Sequence, residues 1–518
     1  MYPFSKLFCA ILLLAIILTA VMAFAENHLE LNKMKRLCME GGLAAVYAVI
    51  HLNGILHHEI WRDEAQAWLI ARNTTMAELV CQLKAEGHPI LWFLLLKPFA
   101  KLGCPVWILG VISLTLMTLA VCLMLHFSPF PYWLKTILLF GTAFFYLSPV
   151  VSRVYSLVTV LIIALAVVYP MRMKKPLLYG ILTALLLQTH VIIAGFALMV
   201  WIMYCFGLLK TEKSEKTVYH WLGAFLPGIS TVLLVLELMG NGRTSAGKIT
   251  DNITGDFGGA VVKLLKEFPS CLGQAIGQEI PVGLFYLIAG TLLLLCMILW
   301  KKYWEELLIV LGAVGAQLLI NVFIYATIMF RAVLMLVTLL FFLWQCMEKS
   351  KGKEISKVDR IYLTGVMLAV ACLSIASVPF AFRNYAEDYR YAWSGGKGVA
   401  DYIEKHLPDN SIIVSNLSGA DVSVGAYHKG LRFWDPSSDS FYSYADWLDK
   451  DFDICREYMD IKGRIERRFP MEENVYLLIN NAYVPGDLDA EELGLLYETG
   501  STMIADENFS LYELKWRE

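Results

Sequence analysis

Charge is scarce in this chain: only 17% of its 518 residues are Asp, Glu, Lys or Arg, against 58% hydrophobic residues. A soluble protein of this length needs far more polar residues to cover its surface. The balance of 43 basic against 46 acidic side chains gives a net charge of −3. With no basic cluster suited to a polyanion, nucleic acid is excluded as a partner. CxxC and zinc-type spacings are also missing. The eleven cysteines are scattered, mostly inside apolar runs, and read as small packing residues. Cys81 with Cys104, or Cys271, could form a disulfide outside the cytoplasm.

What the sequence does have is hydrocarbon. Mean hydropathy is +0.57, and apolar runs of about twenty residues recur over the first three quarters, the length that crosses a bilayer. The candidate spans are 7–25, 38–57, 104–125, 135–151, 153–170, 176–190, 191–209, 220–240, 281–300, 305–325, 328–346 and 361–381. Basic clusters orient them. "MRMKK" (171–175), "KTEKSEK" (210–216), "KK" (301–302) and "EKSKGKEISKVDR" (348–360) fall on one side, the cytoplasm. Residues 58–103, 241–280 and 382–518 then lie outside, with the short junction at Ser152–Arg153. A cleaved signal at 7–25 would invert this topology. Residues 1–33 are therefore expected to be an extra span or a dispensable extension, with translation beginning at Met34 as the alternative.

From residue 382 the chain changes character. Acids outnumber bases and apolar runs shorten. "GVADYIEKHLPDN" (398–410) has helical spacing and ends at Leu407, before Pro408. "SIIVSN" (411–416) and "NVYLLIN" (474–480) read as buried strands. "WSGGKG" (393–398) lacks the full spacing of a phosphate loop and reads as a helix-start turn. The expected fold is an α-helical polytopic membrane protein of about 11–12 transmembrane helices over 34–381, followed by a small extracytoplasmic α/β domain over 382–518.

Two acids stand just outside the span 38–57, in "WRDEAQAWLIARN" (61–73). The stretch "GHPILWFLLLKPFAKLG" (87–103) follows, too short for a comfortable span and interrupted by Pro98. It reads as a helix at the outer interface. These residues resemble the first extracytoplasmic loop of the GT-C glycosyltransferases, and more closely their protein-mannosyltransferase and aminoarabinose-transferase-like branch. There an Asp-Glu pair precedes a Gly-His-Pro-Pro-Leu-type stretch; Ile90 replaces the second Pro here. The resemblance continues at "SPVVSRVYSLVTV" (148–160), at "YGILTALLLQTHVIIAGFALM" (179–199) and at "IMFRAVLMLVTLLFFL" (328–343).

The resemblance implies transfer of a sugar from a polyprenyl-phosphate carrier to a glycan, lipid or protein acceptor outside the cytoplasm. It makes Asp63 the acceptor-activating carboxylate, with Glu64 supporting it or holding a divalent ion such as Mg²⁺ or Mn²⁺. Cations must hold the carrier phosphate. Arg331 leads, followed by Arg153 and His190, with Arg243 and Lys248 in the loop 241–280. His88 and Tyr155 are expected at the substrate. Arg153 and Tyr155, taken on one helical wheel, need not point the same way. The family's second acid, two residues before the Arg-x-Tyr, is replaced by Val151, so a two-carboxylate metal site lacks a member. Glu86, Glu237 or Asp256 could substitute only if the fold brings them in. The sequons at Asn73, Asn252 and Asn416 are short patterns that chance produces. A transporter or flippase is the competing class, but paired Gly/Pro-broken spans in matching halves are missing. A membrane protein that keeps the fold without catalysis is the third.

The topology has a direct check. In intact cells, a cysteine placed at 63 should react with a membrane-impermeant maleimide; reaction only after permeabilisation overturns the assignment of sides.

Overall fold

The computed structural model describes residues 6–28, 32–238, 257–324, 328–448, 455, 457–489 and 491–515. Eight of the described helices are long and apolar enough to cross a membrane, the mark of a multi-pass membrane protein. They are Lys6–His28, Lys33–His57, Ile108–Phe127, Val191–Lys210, Val218–Glu237, Trp300–Phe323, Met329–Ser350 and Lys357–Arg390. Three shorter apolar helices accompany them: Tyr155–Met171, Pro176–Leu187 and Val282–Ile298.

The expected span 135–151 is not one helix. It breaks at Gly141 into Tyr132–Phe140 and Thr142–Phe145, followed by turns. In an apolar interior such a break survives only if the freed backbone groups find partners. Ser377 supplies them: its hydroxyl accepts from the Thr142 N–H at 3.0 Å, and its carbonyl accepts from the Thr142 hydroxyl at 3.2 Å. The span 176–190 is also shorter than expected. Pro176–Leu187 has 12 residues, or about 18 Å at 1.5 Å per residue. The amphipathic part of the loop 241–280 forms the helix Phe257–Ile276.

The chain divides into two compact units. The first comprises Met1–Leu52, Gly87–Leu91 and Ile112–Ala386. Small residues set its helix spacing: a Cβ on Gly180 would stand 2.6 Å from the Gly223 Cα. The helices Pro176–Leu187 and Val218–Leu238 therefore touch backbone to backbone, the usual device where no water drives helices together.

The second unit joins the tail, Glu387–Glu518, to Asn53–Glu86 and Trp92–Val111. Most of the segment 58–103 thus packs with the tail. The tail carries one six-stranded sheet in the order β3-β2-β1-β4-β6-β5. Its strands are β1 (Ile412–Ser415), β2 (Arg432–Asp435), β3 (Ser440–Tyr442), β4 (Val475–Asn480), β5 (Leu493–Glu498) and β6 (Phe509–Leu514). β1 pairs in parallel with β2 and β4, and the outer pairings are antiparallel.

Both faces of this sheet are covered, which is why its central strands are continuous apolar runs. Ile412, Val414 and Leu477 meet Tyr458, Ile461 and Ile465 of the helix Tyr458–Arg468. Ile413 and Leu478, on the opposite face, meet Val399, Ala400 and Ile403 of the helix Gly396–His406. That helix ends at Leu407, as its spacing before Pro408 indicates. At the rim, the β5–β6 register slips between Leu495 and Tyr497.

The helix Leu91–Lys101 buries Trp92, Phe93, Leu96 and Ala100. Leu94, Phe99, Leu102 and Trp107 remain exposed nearby, a two-faced segment of the kind found at a bilayer surface. Cys81, Cys104 and Cys271 form no disulfide, and Cys271 is buried among apolar residues, as a packing residue would be.

Replacing Gly180 with Leu forces the two helix backbones apart. The expected loss is about 1–3 kcal/mol, the usual cost of overpacking. It would appear as a lower melting temperature of the detergent-solubilised protein; an unchanged melt contradicts the backbone contact.

Candidate functional site

The acidic motif begins the helix Arg62–Asn73. Asp63 and Glu64 occupy its first turn, where a negative charge complements the helix dipole. Glu64 is fully buried. Its carboxylate accepts the Trp61 N–H at 3.1 Å, closing the helix start, and it also faces the His58 ring. Thr74 and the Lys97 ammonium close the other end, with Lys97 Nζ donating to the Thr74 carbonyl at 2.5 Å.

His58 lies between two carboxylates. Nδ1 is 2.7 Å from Asp388 Oδ2 and Nε2 is 3.1 Å from Glu64 Oε2. Both ring nitrogens face oxygens that only accept, so both must carry protons and the ring is an imidazolium. Burial works against that charge, but Asp388 and Glu64 prevail and hold the His58 pKa well above the ordinary imidazole value. Asp388 is 330 positions away along the chain, and no spacing in the sequence signals the pairing.

Asp63 keeps its side chain 35% accessible, beside Arg62 at 3.9 Å. Arg62 in turn reaches Asp506 at 3.0 Å. Its backbone N–H donates to Glu507, which is buried and also accepts from the Ser394 hydroxyl. Burial raises the Glu507 carboxyl to about 7, against the pull of Arg62. Glu86 is brought to Gln66, one helical turn after Asp63: Gln66 Nε2 donates to Glu86 Oε1 at 2.7 Å.

Glu64 is committed to His58 and Trp61, and the described residues contain no group of three or more His, Cys, Asp or Glu able to hold an ion. Hard divalent cations want several oxygen ligands.

The cationic residues gather in the first unit. His190 is the N-cap of the helix Val191–Lys210, and its Nδ1 accepts the Ile192 N–H at 3.1 Å. The ring proton is therefore on Nε2. That atom is buried with no hydrogen-bond partner among the described residues, in a side chain 1% exposed. The His88 ring lies 4.8 Å away, edge to face. Arg153 Nη2 donates to His88 Nε2 at 3.3 Å, and the Tyr155 ring stacks 5.9 Å from His190. Phe330, next to Arg331, stacks on Tyr155. The positive charges of Arg153 and Arg331 bear on His190. A neutral His190 is what the tautomer requires.

His88, Arg153, Tyr155, His190 and Arg331 thus converge, from four segments distant along the chain. Arg153 and Tyr155 are in contact despite their spacing on a helical wheel. Arg153 precedes the helix, which starts at Tyr155, and its guanidinium lies over the Tyr155 ring at 5.6 Å. Val151 is buried, its carbonyl accepting the Arg153 N–H. Of the conditional acids, Glu237 lies near the end of the helix Val218–Leu238, its Oε2 buried with no hydrogen-bond partner among the described residues. Arg243, Lys248 and Asp256 lie outside the described residues.

No family model matches the chain, and no curated protein matches it.

The buried titratable groups of the second unit give its stability a pH dependence. Glu507 binds its proton more tightly when folded, between its ordinary 4.5 and about 7. Its contribution is therefore full below 4.5 and is lost as the pH rises through 7. His58 acts in the same direction, contributing fully below 6.5 and losing its effect as pH passes its raised value. The melting temperature of the full chain in detergent should fall from pH 5 to pH 8. Glu507→Gln, which mimics the neutral acid, should recover on the order of 3 kcal/mol at pH 8. An identical pH profile for that variant contradicts the assignment.

Proposed function

We propose that this chain is a GT-C-like integral-membrane glycosyltransferase. It moves a sugar from a polyprenyl-phosphate donor to a glycan, lipid or protein acceptor at the extracytoplasmic face, with the C-terminal domain on that side of the plasma membrane. The observation that carries the reading is the buried Nε2–H of His190, which has no hydrogen-bond partner among the described residues and lies within reach of the charges of Arg153 and Arg331. A buried donor without a partner costs about 1–3 kcal/mol. Two guanidiniums near it make an anion the natural occupant, and the planar fork of Arg suits phosphate oxygens. The stacked Tyr155 and Phe330 rings give the same cluster an apolar wall.

In this reading the phosphate oxygens take hydrogen bonds from His190 Nε2, Arg153 and Arg331. These donors stabilise the charge that grows on phosphate as its bond to the anomeric carbon breaks. Asp63, partly exposed where Glu64 is buried, is the carboxylate assigned to the acceptor. It takes the hydroxyl proton as the acceptor oxygen bonds to the anomeric carbon, and the electron pair of the broken bond leaves on phosphate. Glu64 acts through position: it holds the helix start that carries Asp63.

Asp63→Asn should lower sugar transfer by about 10²–10⁴-fold with expression and melting temperature retained; transfer at the original rate removes Asp63 from the chemistry. Arg331→Ala should weaken binding of undecaprenyl phosphate by about 10-fold or more, as expected for a hydrogen bond to a charged group. Unchanged affinity, measured by thermophoresis in detergent, rejects the phosphate site.

A further inference from the structure

One helical turn beyond Asp63, the acidic helix is fastened to the tail. Gln66 is buried, and its amide clasps the backbone of Ala445 with both of its polar atoms. Nε2 donates to the Ala445 carbonyl at 2.8 Å, and Oε1 accepts the Ala445 N–H at 2.9 Å. The same Nε2 donates to Glu86 Oε1 at 2.7 Å. Gln82, on the helix Met76–Glu86, reaches the residues on either side of Ala445. Its Nε2 donates to Asp446 Oδ1 at 2.9 Å and to the Tyr444 hydroxyl at 3.5 Å. All of these groups belong to the second unit.

Every side-chain amide proton in this cluster is engaged, while oxygen is left over. Each primary amide has two N–H bonds; Gln66 gives its pair to Glu86 and Ala445, and Gln82 gives its pair to Asp446 and Tyr444. Gln82 is 4% exposed, and its Oε1 is buried with no hydrogen-bond partner among the described residues. Leaving a buried acceptor in that state is unfavourable until a donor arrives. The contact beside it is weak, since 3.5 Å is the limit of a hydrogen bond, and an incoming group can displace the Tyr444 hydroxyl. Tyr444, Asp446 and Glu86 are half-exposed, so the cluster opens to the surface at its rim.

A site that offers oxygens calls for a ligand that brings donors. The atom without a partner is a neutral amide oxygen, which an O–H satisfies without carrying a charge into a buried place. An aromatic ring with a few placed polar groups is the usual make-up of a small-ligand site. We propose that Gln82, Glu86, Tyr444 and Asp446 bind the acceptor, and that the acceptor is a glycan held through its hydroxyl groups. The inference rests on the assignment of Asp63 to the acceptor. Gln66 is a positioning residue. Residues three apart lie on one side of a helix, so Gln66 holds the loop 444–446 on the side that carries Asp63.

The test presents the full chain in detergent to an array of immobilised neutral and amine-bearing oligosaccharides. Wild type should retain neutral glycans. Gln82→Met, which keeps the side-chain length and removes both polar atoms, should weaken that binding by about 3- to 10-fold, the worth of a neutral hydrogen bond. Tyr444→Ala should also weaken it, whereas Tyr444→Phe keeps the ring and should retain it. Undecaprenyl phosphate affinity of Gln82→Met should stay at the wild-type value, which a general loss of folding would lower. Retention confined to amine-bearing glycans overturns recognition through hydroxyls, because the carboxylates would then select the ligand. Neutral glycans held equally by wild type, Gln82→Met and Tyr444→Ala, or by none of them, overturn the site. Either result leaves the transferase reading to be judged separately, by sugar transfer in Asp63→Asn and carrier affinity in Arg331→Ala.

Discussion

The imidazolium of His58 is the charge on which the second unit's acidic helix depends. Two carboxylates from different segments, Glu64 and Asp388, are buried against it. Two carboxylates buried together call for a cation between them. Removing one partner of such a group leaves an uncompensated charge, which costs far more than the pair gains over a neutral substitute. Glu64 spends its remaining capacity on the Trp61 N–H and so fixes where the helix begins. The orientation of Asp63 follows from that start, because a helix that begins one residue later turns every side chain by about 100°. The acid pair that stands out in the sequence therefore divides its labour. One member is structural and buried, and the other is accessible.

The cationic cluster obeys the same constraint with the opposite outcome. Its hydrogen bonds run from Arg153 to His88 and from the Ile192 N–H to His190, which leaves the donor at Nε2 unspent. The residues that meet here are adjacent to breaks rather than mid-helix: Arg153 just before a helix, His88 in a turn, His190 at a cap, and Arg331 in a first turn. Helix ends are where an apolar chain can carry polar side chains while keeping its backbone bonded.

Much of this was legible before any coordinates. Apolar runs announced the long helices, and the switch to short runs with Pro408 announced the α/β tail. The helix end at Leu407 and the strands 412–415 and 475–480 follow from local pattern alone. The broken helix at 141 did not, because the partner that stabilises it, Ser377, lies 235 positions away. The His58–Asp388 contact was hidden for the same reason, since nothing local in either segment points to the other. The contact of Arg153 with Tyr155 is not set by a helical wheel, because the helix starts only at Tyr155. Glu237 is the intermediate case: its chemistry could be read from the sequence, but the burial of its Oε2 required the fold.

The slip in register between Leu495 and Tyr497 has a consequence for how the tail behaves among its neighbours. A flat outer strand offers an unpaired row of amides on which another polypeptide can assemble. β5 forms one margin of the sheet, and the kink there interrupts that row. At the other margin β3 is three residues long. Neither border offers a straight template, so the tail can remain crowded beside its own copies in a lipid plane without seeding cross-β aggregation.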